Sequence, residues 1–337
     1  MHFLSAYSLF FAKTLTIVIA LIVVFAAILA LISKGKGKAK ERLVIKKLNE
    51  KFKSFSEDLR TEVMEKSELK KLLKQEKKQN KLKNKNDQAK KRIFVINFVG
   101  DIKASAVHHL REEVTAILTV AKPADEVVVR LESSGGMVHG YGLAASQLKR
   151  LRDKNIFLTV TVDKVAASGG YLMACVANRI LAAPFAIIGS IGVIAQLPNL
   201  HRYLKNKDID FEQVMAGEYK RTISLFGKIT DKGREKLQEE VEAIHHLFKS
   251  FIAENRNWIN IEKVATGEYW QALDALKLQL VDELKTSDDY LLAASYSTDI
   301  YEVSYQTKKS FAERLSSSVQ LCADRLLSTL THRQLYW

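Results

Sequence analysis

IFLTVTVDKVAASGGYLMA, residues 156–174, begins as an apolar run rich in β-branched residues and passes into Ala-Ala-Ser-Gly-Gly before a second apolar stretch. Residues 156–162 read as a buried strand, and the small residues after them as a sharp turn into a helix opening near Ser168. A serine on a strand-to-helix turn stands where a nucleophile can be presented. Ala166, Ala167, Gly169 and Gly170 leave room for a substrate carbonyl, and amides at the helix start can bind a developing oxyanion. Small residues there also serve packing or capping, and Ala166 replaces the first glycine of a GxSxG elbow. The motif alone leaves both readings open.

On either side of this stretch the same alternation continues. IFVINFV (93–99) and EVVVRL (126–131) read as further buried strands, and the spacing of Val107, Leu110, Val114, Ile117 and Leu118 predicts a helix between them. A second helix covers Gly142 to Leu151, and short apolar runs follow near 179–182 and 186–195. Strands alternating with helices of this length predict βαβ units and a largely parallel sheet. AIIGSIGVIA (186–195) is apolar enough to suggest a membrane span, but Pro184, Gly189 and Gly192 interrupt it, so it reads as a core strand and turn. Residues 231–256 read as a long amphipathic helix. SSGG (133–136) ends the strand EVVVRL. Read alone it is an ordinary tight turn. Beside the turn at Ser168, however, it would lie at the C-terminal edge of the sheet, where ligand sites of such sheets form.

The 337 residues are 47% hydrophobic, which excludes a disordered chain, and carry a formal net charge of +14. Residues 34–92 hold 22 Lys and Arg against 9 Asp and Glu, so nearly all of that excess lies there. The basic character belongs to a charged stalk, and no nucleic acid partner is expected for the folded part. Sparse apolar positions such as Leu48, Phe52, Phe55 and Leu59 predict a short helix within the stalk, and its lysines suit contact with anionic lipid if the segment is cytoplasmic. Thr14 to Ile32 is free of charge and long enough to span a bilayer core of about 30 Å. No A-x-A-like cleavage site precedes the lysines, so an uncleaved anchor is expected. Cys175 and Cys322 have no metal-ligand spacing, and neither metal nor cofactor is implied. Phe311, Leu315, Val319, Cys322, Leu326 and Leu330 predict a C-terminal amphipathic helix that docks on the body or on a neighbouring subunit.

The ordered motifs ESSGG (132–136), VAASGGY (165–171), GSIGV (189–193) and GEYKR (217–221) resemble those of peptidase family S49, the signal peptide peptidase A family, most closely its SohB branch of inner-membrane proteases. The likeness covers about residues 90–290. It implies an α/β fold of the Clp/crotonase type, built from repeated ββα turns, with no cofactor. By motif, Ser168 corresponds to the nucleophile, Lys220 to its general base and Ser190 to the serine that orients the lysine. The backbone N–H groups of Gly136 and Gly169 correspond to the oxyanion hole. The resemblance also implies homo-oligomers, with active sites that can combine residues of adjacent protomers. This chain departs from the pattern at Ser134, where many relatives carry proline, and at Ala272 and Gln279, where relatives tend to carry glycine.

The chemistry is coherent. A serine hydroxyl needs a base, and a lysine serves only when its ammonium is desolvated. Bringing a lysine from a pKa of about 10.4 to about 7 costs roughly 4.6 kcal/mol at 1.36 kcal/mol per unit. A neutral partner such as Ser190 can accept a hydrogen bond from the amine without adding charge, whereas a carboxylate would defeat the purpose. A Ser/His/Asp triad is the rival, with His139, just after SSGG, its nearest histidine.

The domains expected are an anchor (1–33), a basic stalk (34–92), the peptidase domain (93–299) and a C-terminal helix (300–337). The function expected is a serine endopeptidase in the bacterial inner membrane, cleaving peptides, signal-peptide remnants or unfolded protein segments through an acyl-enzyme. Two alternatives stand beside it: an inactive membrane-anchored scaffold of the same fold, and a crotonase-like acyl-transforming enzyme. The lysines after the span favour a cytoplasmic domain. The family resemblance favours the periplasm, and the balance tips there.

Overall fold

The computed structural model describes residues 2–34, 41–65, 67–72 and 91–307. The chain divides into two compact units, one of residues 1–43 with 305–337 and one of residues 44–304. In the first, α1 (His2–Lys34) is a single long helix. Its stretch Tyr7–Phe25, 19 residues, is long and apolar enough to cross a membrane.

The second unit is built on a seven-stranded sheet. In chain order the elements after α1 are β1 (Glu41–Lys47), α2 (Leu48–Val63), β2 (Arg92–Val99), α3 (Val107–Leu118), β3 (Glu126–Glu132) and α4 (Val138–Asp153). They continue with β4 (Phe157–Val162), β5 (Val165–Ala167), α5 (Gly169–Ala174), β6 (Arg179–Ala182) and β7 (Ile187–Gly189). After α6 (His201–Lys205) come α7 (Asp231–Asn255), α8 (Ile261–Val264), β8 (Tyr269–Gln271), α9 (Ala272–Lys277), β9 (Glu283–Leu284), α10 (Ser287–Ala294) and β10 (Asp299–Thr307).

The large sheet runs β1-β10-β2-β3-β4-β6-β9, and β5-β7-β8 form a second, three-stranded sheet. From β10 to β9 every pairing in the large sheet is parallel. Register aligns Ile96 with Val129, Val129 with Val160 and Val160 with Ile180, all fully buried. Val127, Val128 and Val129 are buried in succession because both faces of a central parallel strand are covered. This mixed α/β architecture is the fold class that the alternating strands and helices predict.

Two expectations meet a different outcome. The folded unit begins well before Ile93: β1 joins the sheet, Leu48 is buried with Ile93, Val95 and Ile300, and Phe52 packs on that cluster. Asn49 fastens α2 in place, its amide donating to the carbonyls of Ser295 (3.1 Å) and Thr298 (2.9 Å) while its oxygen accepts the Ile300 N–H (2.7 Å). These partners lie some 250 positions away in the sequence, so local composition registered only charge. At the other end, residues 300–307 are strand rather than helix, with Ile300 paired to Ile93 and Glu302 to Val95. The remainder of the expected C-terminal helix, 308–337, lies outside the described residues. The apolar run 186–195 holds the short strand β7 followed by irregular chain, in keeping with the strand-and-turn reading.

Candidate active site

Ser168 lies between β5 and α5, with φ 51° and ψ −120°. An L-residue holds such a conformation only when its surroundings impose it, at about 1–3 kcal/mol. Here the imposition is visible: its N–H donates to the Gly189 carbonyl (2.8 Å), and its own carbonyl accepts the Leu172 N–H (3.0 Å) that starts the helix. The side chain is half-buried.

The SSGG turn is stitched to this element. Ser133 bridges Ala166 in parallel fashion, its N–H donating to Val165 (2.9 Å) and its carbonyl accepting from Ala167 (3.0 Å). Gly135 then adopts φ +89°, and a Cβ there would stand 2.7 Å from the Gly169 nitrogen and 2.8 Å from the Ser168 Cβ. Gly136 lies against the loop after β2, where a Cβ would meet the Ile102 carbonyl oxygen at 2.2 Å. The two glycine-rich turns therefore abut, as the sequence suggests. Gly169 is the first residue of α5, so its N–H is one of those that no intrahelical acceptor can satisfy.

Ser190 is placed by the small sheet. Ala167 pairs with Gly189 across β5 and β7, so Ser168 and Ser190 are the residues immediately after paired positions on parallel strands. Ser190 has φ 50°, and its N–H donates to Glu268 O (2.6 Å).

Lys220 is exposed, and among the described residues its side chain shares no hydrogen bond with this cluster. Its segment is exposed and irregular, held by a turn hydrogen bond from its N–H to the Gly217 carbonyl (3.1 Å). Glu218 pairs with Lys232 on α7, and the Tyr219 ring lies under the ammonium groups of Lys232 (5.7 Å) and Lys236 (5.3 Å). His139 is exposed. Among the described residues no cluster of His, Cys, Asp and Glu could hold a metal.

Two side chains that the motifs do not single out complete the site. Tyr141, fully buried on α4, donates its hydroxyl proton to the Asp101 carbonyl (2.8 Å) and lies 2.6 Å from Ser133 Oγ. Ser133 Oγ in turn accepts the Gly135 N–H (3.1 Å). Burial pushes the Tyr141 phenol up, so it stays a neutral donor. A tyrosine between glycines in HGYG (139–142) is a faint signal in the sequence, since period alone marks it as core. At Gln279 the backbone has φ 61°, whereas Ala272 begins α9 and its N–H donates to Ala186 (2.8 Å).

Fold and site define an α/β protein with a constrained serine facing two glycine-rich backbone segments, an arrangement suited to nucleophilic acyl chemistry. Residues 2–148 match the model of the peptidase family S49 N-terminal region, and residues 150–300 that of peptidase family S49. The probable protease SohB of Haemophilus influenzae is 46% identical, covering 98% of this chain and 97% of that protein. The putative protease SohB of Buchnera aphidicola subsp. Baizongia pistaciae is 44% identical over 94% of each. The solved ClpP1 of Listeria monocytogenes aligns at a TM-score of 0.40, 14% identical over 58% of this chain and 94% of that one. The chain belongs to peptidase family S49.

Proposed function

We propose that this chain is a membrane-anchored serine endopeptidase in which Ser168 attacks the peptide carbonyl and Lys220 serves as general base. The observation that carries the reading is the constrained turn at Ser168 set against Gly135 and Gly169, in a chain whose family is a peptidase family. As the Ser168 Oγ bonds to the carbonyl carbon, its proton passes to the Lys220 amine. The oxyanion is held by the N–H groups of Gly136 and Gly169, and Ser190 orients the lysine. Collapse of the tetrahedral intermediate breaks the C–N bond, and the leaving amine takes the proton. Water then hydrolyses the acyl-enzyme by the same route in reverse roles.

A lysine base must be desolvated, and Lys220 is exposed in the single chain. A second copy of the chain supplies that burial and completes the dyad. Exposed apolar side chains on the neighbouring segments, Ile194, Ile209, Phe211 and Val214, support such a contact. The substrates are peptides, signal-peptide remnants or unfolded protein segments. The apolar helix Tyr7–Phe25 supports anchoring in the bacterial inner membrane, with the catalytic unit on the periplasmic side. A C-terminal reporter active only in the cytoplasm would overturn that orientation.

The test is fluorophosphonate labelling of the purified full chain from pH 6 to 10. Wild type should label, and Ser168→Ala and Lys220→Ala should not. Mixing the two variants should restore labelling, because each supplies what the other lacks. No recovery on mixing would place the dyad within one subunit. Labelling retained in Ser168→Ala would name the wrong nucleophile, and a folded, unlabelled wild type would favour the scaffold.

A further inference from the structure

The Tyr141 side chain touches both backbone segments to which the oxyanion donors are assigned. Its ring lies against Gly169, where a Cβ would stand 2.4 Å from the tyrosine Cγ. Its hydroxyl works on the other segment. Because the tyrosine proton goes to the Asp101 carbonyl (2.8 Å), Ser133 Oγ, 2.6 Å away, donates to the tyrosine oxygen and keeps a lone pair for the Gly135 N–H (3.1 Å). The loop behind the turn thus holds it twice, once through Tyr141 at Asp101 and once through the Met137 N–H on the Ile102 carbonyl (2.8 Å). Gly100 admits this arrangement, since a Cβ there would lie 2.4 Å from both Ser133 Oγ and the Tyr141 oxygen.

We propose that Tyr141 is a positioning residue that sets the separation of the Gly136 and Gly169 N–H groups, its ring fixing one and its hydroxyl, through Ser133, fixing the other. The proposal rests on the reading of Ser168 as nucleophile and of these two amides as its oxyanion donors. Such donors act only within about 2.7–3.1 Å of the developing charge, and a shift of about 1 Å costs up to about a hundredfold in rate. Phenylalanine at 141 would keep the ring against Gly169 and release the turn.

The experiment compares wild type, Tyr141→Phe and Ser133→Ala in the full chain. It measures the fluorophosphonate acylation rate, kcat and KM on a reporter peptide, and affinity for a peptide aldehyde, whose hemiacetal oxygen uses the same donors. Tyr141→Phe should slow acylation and kcat by about ten- to a hundredfold, leave KM and the pH of half-maximal rate unmoved, and weaken the aldehyde by the same factor as kcat/KM. Ser133→Ala should do the same, and the double variant should add little because both act on one chain of hydrogen bonds. Unchanged acylation and aldehyde affinity in folded Tyr141→Phe would overturn the proposal. So would a loss confined to KM or to thermal stability. Should Tyr141→Phe not fold, Ser133→Ala carries the same test with the ring in place. A wild type that is not labelled at Ser168 removes the underlying reading, whereas a labelled wild type matched by Tyr141→Phe removes only the positioning role.

Discussion

Gly135 and Ser168 approach so closely that no side chain fits between them: a Cβ on Gly135 would stand 2.8 Å from the Ser168 Cβ. Gly135→Ala is therefore expected to displace the turn at Ser168. The added methyl also meets the Gly169 nitrogen at 2.7 Å, and φ +89° is unfavourable for alanine. Labelling should fall by about a hundredfold or more, with a lower unfolding temperature. A fully active Gly135→Ala would mean that the two turns are not rigidly opposed.

Ser168 itself stores strain, with φ 51° in a residue that carries a Cβ. Ser168→Gly and Ser168→Ala should both abolish labelling, but the glycine variant should be the more stable by about 1 kcal/mol or more. Chemical denaturation of the pair checks this, and an alanine variant of equal or greater stability would remove strain from the account.

Arg256 is fully buried at the end of α7 and grips Asp282 with both nitrogens, at 2.7 and 3.1 Å, while also donating to the Gln279 carbonyl (3.1 Å). Its guanidinium lies over the Trp258 ring at 4.8 Å. Asp282 additionally accepts the Ile180 N–H (2.6 Å), so the pair locks α7 to β6. Arg256→Ala should lower stability chiefly by emptying a fully buried site and leaving the Gln279 carbonyl without its donor, since Asp282 is exposed and can rehydrate. Arg256→Lys should not restore it, because an ammonium cannot reproduce the planar fork. Denaturant midpoints decide the matter.

Glu126 is buried at the start of β3. Burial pushes its carboxyl up, but hydrogen bonds from Lys91 (2.8 Å), Thr159 (2.6 Å) and Tyr290 (2.5 Å) outweigh that and hold it below the usual carboxylate range. A depressed carboxylate stabilises the fold at pH above its unfolded value of about 4.3 and loses that contribution as pH falls through the lower folded value. Acid unfolding should thus set in below about pH 4, and Glu126→Gln should lower stability at neutral pH while flattening this acid limb. A parallel pH curve for the variant would assign the acid transition to other groups.

The site was partly legible. SSGG and VAASGGY announce themselves because tight backbone approach demands glycine whatever else the chain does, and the abutting turns at Gly135 and Ser168 follow from that. Tyr141, and the use it makes of the Ser133 hydroxyl, did not announce themselves. A buried tyrosine on a helix has the same period as any core residue, and its use depends on Asp101, forty positions away. Lys220 was legible as a motif alone, and the single chain leaves it exposed.

The sequence by itself determined the alternation of strands and helices, the parallel sheet, the apolar N-terminal helix and the family, since each is written in short-range periodicity or in motifs of a few residues. Tertiary structure alone decided that residues 41–63 belong with the fold and that 300–307 are a strand beside β2. Their partners are remote, as with the hydrogen bond from the Ile300 N–H to Asn49, 251 positions apart. Burial at such distances depends on which surfaces meet, and no local pattern of charge or hydropathy records that.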